Sequence, residues 1–334
     1  MTDASFLASR PAGPRALPVA LLACPDYAAP RLRQTVFQAL EAAGPRVGAG
    51  LRVLVKPNLI TAQPLACSDP EVTAAVCAWL LEQGANVEVA DSPGFGRAEA
   101  VARKIGLEEA LRPLKLRVRA LDRPVPVRLH LPASSPASSA SPEGGPRFMV
   151  SRRALECDLI LSVPRVKAHS QMLLTLAVKN CFGCVSGLRK ALIHTREGRD
   201  PGYFADCLAA LWAALPPVAA LADGVRAMHV TGPSRGKPFA LGLIGASPSA
   251  VALDEALCAV LGLAPDATPL GAALERRKAE GCGAAGWRAA YVLQRPEDFN
   301  ARDFELPREL AHTSFHPARF VKSCVRRLWA ACKS

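Results

Sequence analysis

The sequence has few aromatic residues and no long uninterrupted apolar run. Phe, Trp and Tyr make up 5% of the 334 residues, whereas apolar residues as a whole make up 50%. This balance is typical of a packed globular protein and excludes a disordered chain. The apolar stretch 16–24 is broken by Pro18 and lacks the pattern of a secretory signal. We therefore expect a buried first strand and a soluble, cytoplasmic protein.

Cysteine is frequent, with 11 residues, but it lacks the grouping of a cluster-binding motif. Cys181 and Cys184 have C-x-x-C spacing, with no second pair nearby to complete a zinc or iron–sulfur site. In a reducing compartment, most of these residues should be buried thiols. A metal pair completed by His169 or His194 is the alternative. We do not expect an iron–sulfur cluster in this chain.

Acidic residues are outnumbered by basic ones, 29 to 41, and the excess is unevenly placed. Residues 165–199 contain seven Lys and Arg residues against one acid, and the segment from Pro317 contains five against none. A nucleic-acid-binding surface would spread its charge and interleave aromatic residues, so no specific nucleic acid is expected as a partner. Localised charge suits a small anionic ligand and, at the tail, a partner or an anionic surface.

Short apolar runs alternate with helical patterns along the chain. This alternation predicts an α/β fold, with a mainly parallel sheet and helices on both faces, in a Rossmann-like three-layer architecture of one or two lobes. The predicted strands are 19–23, 52–55, 87–90, 116–120, 159–163, 218–222 and 240–246. The predicted helices are 29–43, 70–83, 97–112, 171–180, 203–214 and 249–261.

The Pro/Ser/Gly-rich segment 132–146 predicts a flexible loop that divides the chain. An N-terminal α/β lobe, 1–131, precedes it, and a C-terminal α/β part, 147–314, completes a cleft. A loop within a single domain is the alternative. The basic segment 315–334 predicts a C-terminal tail helix, which docks on the protein or contacts an anionic surface.

Polar side chains follow several predicted strands at the point where each strand ends. In a parallel sheet these ends meet at one edge, where ligands bind. We therefore expect a common site there. The residues at these ends are Lys56, Asn58, Asp91, Ser92, Lys167, His169 and Asp223.

Lys167 and His169 alternate along an extended segment, so both side chains point the same way. Such a pair can bind a carboxylate or phosphate, with His169 moving a proton near neutral pH. The following segment adds further ligand-binding candidates. These are Lys179, Asn180, Lys190 and His194. In the plainer interpretation, the backbone satisfies His169 and Asp91 caps the next helix.

The same segments carry a family resemblance over roughly residues 50–260. The matching residues are Val55–Leu59, Asp69–Val72, Gly84–Ala85, Asp91–Gly94, Val163–Pro164 with Lys167 and His169, Thr175 with Val178–Asn180, Phe182–Gly183, Lys190 with His194, Asp223–Gly224, Gly232–Pro233 with Gly236, and Ala252–Asp254. Together they resemble the domain-of-unknown-function family DUF362. Many relatives carry an added ferredoxin-like segment with closely spaced cysteines, which this chain lacks. The resemblance implies that the basic cluster is a site, and it names no reaction.

Three hypotheses follow. In the first, the protein is an enzyme that acts on a small anionic metabolite: Lys56, Lys167 and Lys179 hold the anion, His169 moves a proton, and Asp91 or Asp223 orients a base or a divalent metal. In the second, Cys181 and Cys184 serve a metal-handling or redox protein. The third is a non-catalytic module that binds anions or docks partners through its tail.

Overall fold

The computed structural model describes residues 15–94, 96–135, 145–186, 190, 193–194, 197–280 and 287–310. The predicted tail helix, 315–334, and residues 136–144 of the predicted loop lie outside these ranges.

The described strands are numbered β1 to β13. They are β1 (Arg15–Ala23), β2 (Arg52–Pro57), β3 (Asn86–Asp91), β4 (Val118–Ala120), β5 (Pro124–Arg128), β6 (Arg147–Ser151), β7 (Leu159–Val163), β8 (Arg165–His169), β9 (Leu173–Thr175), β10 (Val218–His229), β11 (Lys237–Phe239), β12 (Leu243–Ser247) and β13 (Trp287–Tyr291). The α-helices are α1 (Arg31–Ala43), α2 (Pro70–Glu82), α3 (Ala98–Ile105), α4 (Leu107–Leu111), α5 (Arg152–Glu156), α6 (Ala177–Asn180), α7 (Pro201–Ala213), α8 (Ala250–Val260) and α9 (Pro269–Ala279).

A large mixed sheet forms the centre of the described structure. Its strand order is β13-β1-β12-β10-β7-β2-β3-β4. The neighbours from β10 to β4 are all parallel, whereas β12 runs antiparallel to both β1 and β10. This arrangement confirms the predicted α/β fold with a mainly parallel sheet. Strands from both sides of segment 132–146 share the sheet, and the division into lobes stays a prediction.

Helices cover both faces of the sheet because its central strands are apolar on both sides. In β2, Val53 and Val55 face one buried cluster, which includes residues of α1, α2 and α3, whereas Leu54 faces the other, with α7 and α8. In β7, Leu161 and Ile160 divide in the same way. Each fully buried Val, Leu or Ile side chain contributes about 1.5–3 kcal/mol. The three layers follow from this two-sided pattern.

Two predicted helices differ from the structure. Segment 171–180 contains the short strand β9, which pairs antiparallel with β8 and places Thr175 opposite Lys167; only Ala177–Asn180 is helical. Leu173 adopts a left-handed φ of 59° at this hairpin, which local helical periodicity does not reveal. Segment 97–112 is divided into α3 and α4 at Gly106, whose φ is 88°. Glycine tolerates that conformation at little cost.

No described helix is both long enough and apolar enough to cross a membrane.

Candidate active site at the carboxyl ends of the central strands

A buried ion pair between Lys56 and Asp91 joins the ends of β2 and β3. Lys56 Nζ lies 2.8 Å from Asp91 Oδ1 and also donates to Asn180 Oδ1 at 2.8 Å and the Pro57 carbonyl at 3.0 Å. Asp91 Oδ2 accepts the Leu59 N–H at 2.7 Å. Lys56 is 0% and Asp91 2% exposed. All three ammonium protons have acceptors, and Asp91 binds Lys56 rather than capping the helix after β3.

Asn58 and Asn180 connect this ion pair to β8. Asn58 Nδ2 donates to Asn180 Oδ1 at 2.9 Å, and Asn58 Oδ1 accepts from Lys167 Nζ. Asn180 Nδ2 donates to the Lys56 carbonyl at 3.0 Å, and Lys167 Nζ also donates to the Ala66 carbonyl. We call a set of seven residues the lysine cluster, because these hydrogen bonds, or the effects of their charges on one another, connect them. They are Lys56, Asn58, Asp91, Lys167, His169, Lys179 and Asn180.

Lys167 and Lys179 are buried without a carboxylate of their own. Lys167 is 0% and Lys179 7% exposed. The pKa of each amine is lowered to about 7, by burial and, for Lys167, also by the nearby charge of Lys179. Within the described part of the chain, no hydrogen-bond acceptor and no acid contacts Lys179 Nζ. Near neutral pH, both amines therefore exist in charged and neutral forms.

His169 is held as a neutral imidazole. Its Nδ1 accepts the backbone N–H of Gln171 at 3.1 Å and of Met172 at 3.2 Å, which leaves the ring proton on Nε2. Burial lowers the pKa of His169 well below its usual 6.5, and the charge of Lys179 lowers it further. The structure therefore argues against the expected proton transfer by His169 near neutral pH. It leaves Nε2–H as a hydrogen-bond donor.

Thr175 is a buried polar residue that the strand-end reasoning missed. It lies directly opposite Lys167 in the β8–β9 pair and is 1% exposed. Among the atoms that the structure describes, its Oγ1 has no hydrogen-bond partner. A buried hydroxyl without a partner costs about 1–3 kcal/mol. The hairpin thus carries an unsatisfied hydroxyl next to the lysine cluster.

Lys190 and Ser92 lie at one side of the cluster, beside an open cleft. Lys190 Nζ donates to the carbonyl of Ser92 and, at 3.3 Å, to that of Gly183. The cleft has a volume of about 600 Å³, and its lining includes Asp91, Ser92 and Ser186. Lys190 therefore attaches the turn after α6 to the end of β3, where Asp91 and Ser92 line this cleft.

His194 is fixed by packing and by one side-chain amide. Its Nδ1 lies 3.0 Å from Gln171 Oε1, and Gln171 Nε2 donates to the Gly198 carbonyl at 2.7 Å. The ring packs against both Phe182 and Phe204, with centroid separations of 5.0 and 4.8 Å. Gln171 therefore links His194 to His169, because its side chain contacts His194 and its backbone N–H binds His169.

Asp223 belongs to a neighbouring network around Arg165. Its Oδ2 lies 3.0 Å from Arg165 Nη1, and its Oδ1 accepts from Tyr27 Oη at 2.9 Å. Arg165 Nε donates to the Cys67 carbonyl at 2.7 Å, next to the carbonyl that Lys167 binds. Burial raises the pKa of Asp223 to about 6, and Arg165 opposes that rise. Asp223 therefore orients Arg165 and does not contact the lysine cluster directly.

The two cysteines of the C-x-x-C pair are buried thiols in a turn of 3₁₀ helix, Cys181–Cys184. Burial raises the pKa of Cys184 to about 12 and that of Cys181 well above its usual value. A metal ligand or redox nucleophile needs the thiolate, which this environment disfavours. In the described ranges, His, Cys, Asp and Glu form no group of three or more that could hold a metal.

The described cysteines match the expectation of unbridged thiols. All are free, and all but Cys157 are buried.

The roles of other residues near the site did not emerge from the sequence because their partners are distant along the chain. Arg165 was counted only as part of the basic segment, although it is 3% exposed and ion-paired. Tyr27 gave no signal, since 196 residues separate it from Asp223. Asp254 accepts the N–H groups of Ala177 and Val178 at 2.7 and 3.0 Å and so fixes the start of α6.

Gly183 is required by the closeness of the ion pair. A Cβ at this position would lie 2.3 Å from Lys56 Nζ and 2.4 Å from Asp91 Oδ1. We expect Gly183→Ala to lower the free energy of unfolding by about 1–3 kcal/mol, because the closely packed pair must move. Urea unfolding measures this, with Gly48→Ala as the control, since a Cβ at Gly48 meets nothing within 4 Å. Equal stability of the two variants would contradict the expectation.

Comparisons with known proteins agree on the family and say little more. The model of the family described as a domain of unknown function, DUF362, matches residues 53–259. The thylakoid-associated protein sll1697 of Synechocystis sp. (strain ATCC 27184 / PCC 6803 / Kazusa) is 31% identical over 317 residues, which cover 93% of this chain and 94% of that protein.

Two solved structures show a weaker likeness. The lactate racemase apoprotein from Thermoanaerobacterium thermosaccharolyticum matches with a TM-score of 0.42 and 14% identity, over 71% of this chain and 54% of that chain. A protein from Thermotoga maritima matches with a TM-score of 0.37 and 13% identity, over 62% and 52%. The matches span about half the length of these structures. Likeness at this level carries no argument about the site.

Proposed function

The chain belongs to the DUF362 family, and we propose that it is an enzyme whose lysine cluster binds a small anionic metabolite, a carboxylate or a phosphate. One observation carries the proposal. Among the described residues, Lys56, Lys167 and Lys179 are all buried, yet Asp91 is the one carboxylate within their cluster, and Lys56 binds it. The cluster therefore has more positive than negative charge.

Such an imbalance is costly unless something compensates for it. A buried ammonium loses several kcal/mol of hydration free energy, and it regains this only through a counterion and hydrogen bonds. A bound carboxylate or phosphate would supply the charge to Lys179 and Lys167 and an acceptor to the hydroxyl of Thr175. The unsatisfied Thr175 Oγ1 supports the same location for the ligand.

The residues of the cluster suit different roles. Lys167 and Lys179, whose pKa values lie at about 7, can exchange protons near neutral pH and are the candidate acid and base. His169 would donate from Nε2–H to an oxygen on which negative charge develops. Lys56, Asp91 and the two asparagines would hold these groups in place.

The remaining predicted residues would support the site from outside. Lys190, Ser92 and His194 would shape its edge, and Asp223 would position Arg165. The environment of Cys181 and Cys184 favours protonated thiols and therefore does not support the metal or redox hypothesis.

Anion binding is expected to weaken as pH rises through about 7. Lys167 and Lys179 lose their protons in that range, and the attraction to the ligand is lost with them. Succinate is a suitable probe because both its carboxylates stay ionised above pH 6.5 or so. By isothermal titration calorimetry, we expect the dissociation constant to increase roughly tenfold or more between about pH 6.5 and 8.5.

Two variants sharpen this measurement. Lys179→Met should weaken succinate binding at pH 6.5, whereas Lys104→Met, which removes an exposed lysine of α3, should not. Affinity that is independent of pH, and equal in wild type and Lys179→Met, would contradict the proposed site.

Turnover distinguishes an enzyme from a binding module. Incubation with a mixture of carboxylate and phosphate metabolites, followed by mass spectrometry, should show a compound that the wild type consumes and Lys179→Met does not. Binding without any conversion would favour the non-catalytic alternative. The cytoplasmic location and the partner of the basic tail stay predictions.

A further inference from the structure

Lys179 differs from the other two lysines of the cluster in having no acceptor. Lys56 has three acceptors and Lys167 has two, whereas the described residues offer Lys179 Nζ none. The helix that carries it is nevertheless fixed, because Asp254 holds the start of α6 and Asn180 links its end to Lys56. A buried amine on a fixed helix, with a lone pair that no described residue uses, is suited to act as a nucleophile.

Lys167 and His169, which the charge of Lys179 affects, and Thr175, which pairs with Lys167, match a compound with a carbonyl next to a carboxylate. Lys167 can bind the carboxylate, which also compensates for the positive charge of the cluster. Thr175 Oγ1, buried and without a described partner, can hydrogen-bond to the same ligand. His169, with its proton on Nε2, can donate to the carbonyl oxygen.

We propose that Lys179 forms an iminium with the carbonyl carbon of a small 2-oxo acid. The inference rests on the proposed function and names the substrate class of that site. The Nζ lone pair attacks the carbonyl carbon, a C–N bond forms, and the carbonyl π electrons move to oxygen, which takes up the amine proton. The resulting hydroxyl accepts a second proton, supplied by the ammonium form of Lys167, and leaves as water. The C=N⁺ bond that remains joins Lys179 to the substrate.

Burial gives this lysine an advantage over those on the surface. Since burial lowers the pKa of Lys179 to about 7, roughly half of its amine is unprotonated at neutral pH. An ordinary lysine, with a pKa near 10.4, has only about one part in two thousand in that form. Labelling at low probe concentration should therefore select Lys179.

Reductive trapping tests the proposal. The full-length protein is incubated near pH 7 with pyruvate and sodium cyanoborohydride, which reduces an iminium to a stable secondary amine. Intact mass and peptide mapping should then show one added carboxyethyl group, located on Lys179. Lys179→Arg keeps the charge but cannot form the iminium, and it should lose the label. Lys104→Met should retain it. Glyoxylate serves as a second, smaller probe.

The outcomes separate this inference from the function on which it rests. A label on Lys179 that the arginine variant loses supports the iminium. No label, or a label spread over exposed lysines, with either probe, overturns it. If succinate still binds in a Lys179-dependent manner in that case, the anion site stands and the nucleophile is wrong. If neither binding nor labelling is seen, both proposals fail.

Discussion

Replacing Lys56 by methionine is expected to destabilise the protein by roughly 3–5 kcal/mol, the cost of breaking a buried ion pair on one side. The ammonium contacts Asp91 Oδ1, Asn180 Oδ1 and the Pro57 carbonyl, and it is fully buried. Without it, Asp91 is a buried carboxylate whose nearest opposite charge is gone. Asn180 Oδ1 would also lose the Lys56 donor that joins β2 to α6 and would keep only the donation from Asn58 Nδ2.

Urea unfolding of the Lys56→Met variant measures this loss. The double variant Lys56→Met/Asp91→Asn is the matched control, because asparagine removes the unpaired charge while keeping an oxygen for the Leu59 N–H. We expect it to recover part of the lost stability. If the single variant loses less than about 1 kcal/mol, the pair is not the buried charge balance that we describe.

Replacing Lys179 by methionine should have the opposite effect and stabilise the protein by roughly 2–4 kcal/mol near pH 6. Lys179 is buried, with 7% exposure, but has no acceptor in the described part of the chain, so its protonated form is costly to fold. Methionine has a similar length and removes the charge without leaving a partner unpaired.

The pH dependence follows from the direction of the pKa shift. The pKa of Lys179 is lowered in the folded protein to about 7, whereas in the unfolded chain it stays near 10.5. Below pH 7 both states bind the proton, and the folded state bears the full cost. As the pH rises from 7 towards 10.5, the unfolded state binds more protons than the folded state, so wild-type stability increases relative to the variant.

Unfolding in urea at about pH 6 and pH 9 tests both the sign and the trend. The difference between Lys179→Met and wild type should be large at the lower pH and smaller at the higher one. Lys104→Met provides the control for an exposed lysine. A variant that is less stable than wild type at pH 6 would show that Lys179 has a stabilising partner. Stabilisation together with lost anion binding would identify a residue kept for function at a cost in stability.

The sequence alone determined the layers of the fold and the edge of the sheet at which the candidate site residues lie. Runs such as 53–55 and 159–163 are largely apolar on both sides, so they form central strands of the sheet. The polar residues that follow these strands meet at one edge of the sheet. These are local properties of the chain. The local pattern failed at 171–180, where pairing of Thr175 with Lys167 forms a strand instead of the predicted helix. Whether this segment forms a strand or a helix depends on that contact between two strands, which the local periodicity of the sequence does not show.

Only the tertiary structure decided what each residue of the site can do. The sequence places three lysines and two aspartates near the strand ends and does not distinguish their roles. In the folded chain, Asp91 forms an ion pair with Lys56, and Asp223 forms one with Arg165. Lys179 has no carboxylate partner among the described residues. It also turns His169 from an expected proton carrier into a neutral donor, because two backbone N–H groups occupy Nδ1. Charge pairing, hydrogen bonding and burial join residues that are distant in the sequence, such as Tyr27 and Asp223, 196 positions apart, and so they exist only once the chain has folded.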